Sequence, residues 1–369
     1  MRICIDARKI NDLGVGTYLQ GILEQLKTVE NPHTFLLLTA PDEQKQLSQL
    51  FPPPRFNTVA EPAKKYSIRE LFSITRRLHQ IQADLYHSPH YPLPLLKIRP
   101  TITIIHDLIH LKFPEYLPSQ FARLYARGMM NHAVRRSDHI VTISAWSKRD
   151  LQERFPIADS RISVVYGAVG EDFKILESGQ VENFIEQKLG GRKPYLLYCG
   201  AFKRHKNLGT LLTAFHRIDP DCCQYLVLAG DQLNRYPELQ QKIKDLRLES
   251  RIINPGWLTI SELVKLYNGA KGFVFPSEYE GFGLPPLEAM KCGVPVVASN
   301  AACMPEVLGD AACYFDPHSV DQLMSQLKRI LTDDALRKQL CAKGFVQAEK
   351  YNWHKSALEI LNIYKKFEK

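Results

Sequence analysis

Long apolar runs are what this sequence most plainly lacks. No stretch of its 369 residues approaches the roughly 18 that a membrane-spanning helix needs. The eight cysteines include no Cys-x-x-Cys spacing. Most of them sit in apolar contexts, which points to free buried thiols and a reducing, cytoplasmic setting. Met1 leads directly into the strand-like Arg2-Ile-Cys-Ile-Asp6, so no signal peptide is expected. No internal repeat or low-complexity tract occurs. Basic and aromatic residues do not interleave as they do in nucleic-acid modules, so a nucleic-acid partner is not expected.

What remains is an ordinary globular composition, 45% hydrophobic and 24% charged. The length suits two domains of about 150–200 residues each. Charge is unevenly spread. Residues 1–170 carry 22 Lys and Arg against 15 Asp and Glu, a balance of +7 out of a total of +9. A basic first half suits an anionic partner, such as a membrane surface with acidic lipids.

The most informative stretch is 275–299. A short apolar strand, Gly272 to Phe275, stops at Pro276 and gives way to a loop holding Glu278, Glu280, Gly281 and Gly283. Leu284 to Cys292 reads as a short helix with prolines in its first turn and Gly293 as its stop. The strand Val294 to Ala298 follows. Such strand–loop–helix units bind ligands at the carboxyl end of the strand. The glycines admit a ligand to the backbone, and free amides at a helix start attract phosphate. Glu280 and Glu288 can face one pocket and accept hydrogen bonds from sugar hydroxyls.

Glu280 and Glu288, with Gly281, Phe282, Gly283, Leu284 and Pro285 between them and a Gly-x-Pro-Val-Val strand after, resemble the signature of the group 1 retaining glycosyltransferases, glycosyltransferase family 4. The resemblance implies the GT-B fold: α/β, with two Rossmann-like doubly wound domains facing a central cleft. Residues 1–170 would form the acceptor-binding domain and 171–350 the nucleotide-sugar domain. Residues 351–369 would form a helix packing back toward the first. It further implies that Glu288 binds the ribose, that Lys206 binds the diphosphate, and that Glu280 with the 282–284 backbone holds the sugar. His106, in Ile105-His106-Asp107-Leu108, would hydrogen-bond the donor sugar across the cleft. Family members often carry an Arg after the first glycine of the phosphate loop. Here Ala201 follows Gly200, which leaves open whether Arg204, Lys203 or neither supplies the second phosphate contact.

Taken in order, the chain offers further expectations. Gly14 and Gly16 lie between a strand and a helix carrying Tyr18, Ile22 and Leu26 at spacing four, an anion-binding turn that the resemblance places at the donor. Residues 51–65, rich in proline, read as a surface loop. A helix over 68–81 offers Arg69, Arg76 and Arg77 to one side, and one over 119–137 has a basic face of Arg123, Arg127, Arg135 and Arg136. Ser144 reads as an N-cap. His87, His90, His106 and His110 sit on strand ends and loops with only Asp107 near to complete a set, so no metal site is expected. Residues 167–191 read as a polar crossing between domains. Lys203, Arg204 and Lys206 gather where a helix starts, against its dipole, which a bound anion explains better than helix stability. Asp219 to Asp221 reads as a turn. The last helix, about 353–367, is expected to present Leu358, Leu361 and Tyr364 on one face.

The resemblance thus implies metal-independent, retaining transfer of a hexosyl group from a nucleotide-diphosphate sugar to a glycan or lipid-linked acceptor. No cofactor is implied. The phosphate loop and the 105–108 segment lean toward mannosyl members and GDP-mannose as donor. Peripheral contact with the inner face of an anionic membrane is compatible with the charge. Rival readings are a sugar-nucleotide epimerase of the same fold and an inactive nucleotide-sugar-binding subunit.

Overall fold

Short apolar strands rich in β-branched residues, separated by helix-length segments, can bury both faces only in parallel sheets flanked by helices. The computed structural model describes residues 1–97, 99–191 and 193–368. It contains two compact units, Met1–Gly167 with Asn352–Lys369, and Ala168–Tyr351. Lys369, the last residue of the expected terminal segment, lies outside the described residues.

The first unit holds β1 (Arg2–Asp6), β2 (Thr34–Thr39), β3 (Phe56–Ala60), β4 (Leu85–Ser88), β5 (Thr101–Ile104), β6 (His139–Thr142) and β7 (Ile162–Val164). They form one parallel sheet in the order β3-β2-β1-β4-β5-β6-β7. Strand order reverses between β1 and β4, the place where doubly wound sheets open a crevice. Strand β5 is interior and buried throughout, as its run of β-branched residues requires. One difference from the sequence reading is β3. The 51–65 segment is not all loop, because Phe56 to Ala60 pairs with β2 as the sheet edge, and its prolines lie outside the paired residues.

The helix Trp353–Lys365 belongs to this unit. It buries Ala357, Ile360, Leu361, Ile363 and Tyr364. Gly21 makes room for it, since a Cβ there would stand 2.3 Å from the Trp353 ring. The Tyr364 hydroxyl meets His87 Nδ1 at 2.6 Å, and Ser356 Oγ donates to the Tyr166 carbonyl at 2.7 Å. Leu358 does not join the packed face. It is exposed, because it lies about 60° around the helix from Leu361 and about 120° from Tyr364, and the packed face is filled instead by Ala357 and Ile360.

The second unit holds β8 (Tyr195–Gly200), β9 (Tyr225–Gly230), β10 (Ile252–Gly256), β11 (Gly272–Phe275), β12 (Val296–Ser299) and β13 (Ala312–Phe315). Its parallel order is β10-β9-β8-β11-β12-β13, reversing between β8 and β11. The 167–191 segment is more than a crossing. It contains the helix Ser178–Leu189, whose Val181, Ile185 and Leu189 recur at spacing four and are buried in this unit. The Asp219 to Asp221 segment is a turn, with the Asp221 amide donating to Asp219 Oδ1. Among the described residues, no helix is long and apolar enough to cross a membrane.

Candidate functional site

The loops leaving β8 and β11 flank the reversal point of the second sheet, and the two loops are tied together. The Glu278 amide donates to the His205 carbonyl at 2.8 Å. After β8, a tight turn over Arg204–Lys206 ends at Asn207, which adopts a left-handed conformation (φ +56°) and donates its side-chain amide to the Pro317 carbonyl. That turn aims Lys206 inward while Lys203 and Arg204 stay exposed. Lys206 Nζ stands 2.5 Å from Glu280 Oε1, with both side chains largely buried. The ammonium also lies 5.6 Å from the centre of the Phe275 ring.

Gly283 makes the β11 loop possible. Its φ of +86° is left-handed, and it directly precedes the helix Leu284–Lys291, which has Pro285 and Pro286 in its first turn. The prolines carry no N–H and the Leu287 amide closes the first helical turn, so the backbone donors left at this helix start are those of Gly283 and Leu284. Behind the loop, Cys303 Sγ donates to the carbonyls of Glu280 and Phe282, and Phe282 packs edge-on against Tyr351. Gly281 and Phe282 are buried, while Gly283 and Leu284 retain some exposure.

Glu288, one turn into the helix, accepts a hydrogen bond from the Tyr267 hydroxyl at 2.9 Å. Burial pushes its carboxyl up to about 7, and the Tyr267 hydrogen bond pulls the other way. Sequence reading had no role for Tyr267. It closes the helix Ile260–Gly269, and its aromatic body belongs to the apolar face while its hydroxyl reaches the carboxylate. Neither periodicity nor spacing announces such a contact, because it joins residues 21 apart on different elements.

In the first unit, Gly14 (φ +70°) caps the helix Val15–Thr28. Gly16 is there for space, since a Cβ would fall 2.3 Å from the Ile10 carbonyl oxygen. His106 follows β5. Its Nε2 lies 3.0 Å from the Pro89 carbonyl, and its ring meets the edge of Tyr18 at 5.4 Å. A carbonyl only accepts, so Nε2 carries the proton and Nδ1 presents a lone pair. Burial holds the ring neutral, down to about 4. Of the other histidines, His87 is bonded to Tyr364, while His110 and His90 share Tyr91, His110 Nδ1 lying 2.9 Å from its hydroxyl and His90 packing tilted against its ring. Among the described residues, no three His, Cys, Asp or Glu side chains are grouped to hold a metal.

The first unit also carries a polar group that the sequence did not reveal. Arg8, buried after β1, bridges Asp6 and Glu70 at 2.5 and 2.7 Å. Lys9 Nζ meets the Tyr66 hydroxyl at 2.5 Å. These residues become neighbours only when residues 61–70 fold over the end of β1.

Two family descriptions divide the chain between them. Glycosyltransferase Family 4 matches residues 14–173, and Glycosyl transferases group 1 matches residues 180–345. The O-antigen chain mannosyltransferase B of Escherichia coli is 32% identical over 283 residues, 76% of this chain and 74% of that protein. The chain belongs to the group 1 glycosyltransferases. This glycosyltransferase is also 34% identical over 266 residues to the serotype-specific mannosyltransferase WbdA of Escherichia coli. That match covers 70% of the chain but only 32% of the relative. Among solved structures, HepE of Anabaena in complex with UDP and glucose superposes with a TM-score of 0.80, over 99% of this chain and 100% of that one, at 19% identity. At that identity the likeness speaks to fold alone, two Rossmann-like parallel-sheet domains of the GT-B type.

Proposed function

We propose that this glycosyltransferase moves a hexosyl group, mannosyl in our reading, from a nucleotide-diphosphate sugar to a glycan or lipid-linked acceptor, with retention of configuration and without a metal. The observation that carries the proposal is the meeting of Lys206 and Glu280 from the two loops at the reversal point of the second sheet, beside the helix start at Gly283. A cation and free backbone amides suit a diphosphate. Lys206 engages Oε1 of Glu280, which leaves Oε2 to accept from a sugar hydroxyl. Glu288 would take the ribose hydroxyls, held in place by Tyr267. His106, in the first unit, would accept from a sugar hydroxyl through Nδ1. Arg204 is exposed on the same turn as Lys206 and is the natural second phosphate contact in the absence of an arginine at position 201.

The chemistry asked of these groups is electrostatic. As the glycosidic bond breaks, charge grows on the leaving diphosphate, and fixed donors already aimed at it lower the barrier without reorganising. The leaving phosphate then takes the proton of the attacking hydroxyl on the same face of the sugar, which retains the configuration. The mannosyltransferase relatives support mannose as the sugar, and GDP-mannose, toward which the motif resemblance leans, is the donor to try first.

The test is calorimetric titration with UDP-, GDP- and ADP-sugars in the presence of a chelator, followed by transfer assays with the donor that binds. Metal-independent binding of one donor and an α-linked product from an α-linked donor are expected. Release of free sugar with no acceptor requirement, or binding of no nucleotide at all, would overturn the assignment.

A further inference from the structure

Exposed apolar side chains scattered singly on a surface need no explanation, but a concentration of them does. Among the described residues, fourteen large apolar side chains are exposed, and six of them (Ile68, Phe72, Leu95, Leu96, Phe121 and Leu124) fall on three segments of the first unit. Phe121 is 75% exposed, Ile68 71% and Leu124 69%, so these are not core residues grazing the surface. Ile68 and Phe72 are one turn apart at the start of the helix Glu70–Gln80, and Phe121 and Leu124 are one turn apart at the start of the helix Gln120–Arg136.

The fold brings the three segments together. The Leu95 amide donates to the Leu71 carbonyl at 3.1 Å, and Thr75 Oγ1 donates to the Leu96 carbonyl at 3.0 Å, which lashes the 95–96 segment along the first helix. The preceding carbonyl, Pro94, is bonded to His132 Nε2 of the second helix at 2.9 Å. Both helices bury their opposite faces, through Leu71, Ile74, Met129 and Met130, in one core. Tyr125, next to Leu124 on the second helix, packs against the same core.

Charge on this surface has one sign. Arg69, Arg76, Arg123 and Arg127 are exposed among the apolar side chains. The only carboxylate in residues 64–76 is Glu70, buried against Arg8, and residues 93–99 and 119–128 contain none. Arginines with no acidic counterparts repel a second copy of the same surface and attract an anion. Large aliphatic and aromatic side chains between them exclude a purely polar polyanion as the best fit. Apolar side chains that insert and arginines that remain at headgroup level together match one solvent, the interface of an anionic bilayer.

We propose that this face, the starts of the helices Glu70–Gln80 and Gln120–Arg136 with the 95–96 segment between them, is a docking surface for a bilayer rich in anionic lipid. The proposal is independent of the transfer chemistry, and it can be tested without donor or acceptor. The full chain is sedimented with vesicles of phosphatidylcholine alone and of phosphatidylcholine mixed with phosphatidylglycerol, at low and high salt. The wild type is expected to bind the anionic vesicles at low salt and to leave phosphatidylcholine unbound. Arg69→Gln, Arg123→Gln and Arg127→Gln together should weaken binding at least about tenfold, since each basic residue near such a surface contributes on the order of 1 kcal/mol. Phe72→Ser with Phe121→Ser should also weaken it, and the binding that remains should be more sensitive to salt. Both variants alter exposed positions and should keep the wild-type melting temperature. Failure of the wild type to bind anionic vesicles would overturn the proposal. So would binding unchanged in both variants, or a wild-type dimer abolished by the phenylalanine changes in a chain that ignores vesicles.

Discussion

Lys206 Nζ lies 2.5 Å from a carboxylate oxygen of Glu280, although 74 residues separate them in the chain. One stands on the turn after β8 and the other on the loop after β11, so the ion pair joins the two loops beside the sheet's reversal point. On the proposed function such a pair would be shared with the donor: the ammonium would turn part of its charge to a phosphate and the second oxygen of the carboxylate would accept from the sugar. Lys206→Ala and Glu280→Ala should each lower turnover more than about 100-fold, about 3 kcal/mol of transition-state stabilisation. The double variant should lose much less than the product of the two, because the groups act as a unit. Wild-type rates in either single variant would remove the pair from the mechanism.

Glu288 would give the proposed donor site a pH dependence. Its ionised form would accept hydrogen bonds from a ribose, and burial has raised its carboxyl to about 7. Nucleotide affinity should therefore fall as pH drops through about 7, with proton release on binding at neutral pH. Tyr267→Phe removes the hydrogen bond that favours the ionised form, so the midpoint should move higher. Titration calorimetry in buffers of different ionisation enthalpy reads both effects. A pH-independent affinity between about 6 and 8 would exclude Glu288 from the ribose contact.

The same shift has a sign for stability. A carboxyl raised above its unfolded value of 4.5 binds its proton more tightly in the folded state, so folding loses free energy as pH rises from 4.5 to about 7. Glu288→Gln removes that penalty. The variant should be more stable than the wild type at pH values above about 7, by roughly 2 kcal/mol, while binding nucleotide less well. Urea denaturation of the free chain checks it.

Histidines act in the opposite direction in the first unit. Burial brings His87, His106 and His139 each down to about 4. Their folded forms bind fewer protons than the unfolded chain, so the stability tied to them is present above 6.5 and lost as pH falls toward about 4. In the second unit His205, brought down to about 3, works the same way, but Glu288 opposes it. On acidification the first unit should melt earlier relative to the second. Scanning calorimetry at neutral and mildly acidic pH would show the two transitions separating, and parallel shifts would contradict the assignment.

Gly14 and Gly16 serve the same turn by different means, and alanine should separate them. Gly14 has a positive φ and open space around it, so Gly14→Ala should cost about 1–2 kcal/mol of backbone strain. At Gly16 an added Cβ would meet the backbone oxygen of Ile10 at 2.3 Å, and that oxygen cannot swing aside as a side chain would. Gly16→Ala should cost more, about 3 kcal/mol, with the 7–13 loop displaced. Denaturant midpoints rank the two, and an equal or reversed ranking would mean the loop yields freely.

By itself the sequence determined the class of each half, two runs of short buried strands with helices between, because parallel strands must be apolar on both faces and that shows in composition alone. It also marked the 275–299 stretch, where glycines, prolines and two glutamates at fixed spacing specify a strand, a loop and a helix start locally. Tertiary structure decided the rest. Edge strand β3 hid among prolines because pairing on one side only leaves a weak pattern. The helix Ser178–Leu189 has only four apolar positions among polar ones, and which three of them are buried is decided when the unit packs over them. The contacts that tune the site (Lys206 with Glu280, Tyr267 with Glu288), like the buried pair of Arg8 with Glu70 in the first unit, join residues from separate loops and helices. Local spacing carries information about residues within a turn or a strand of each other. Distances between loops are set only when the sheet order brings their strands together.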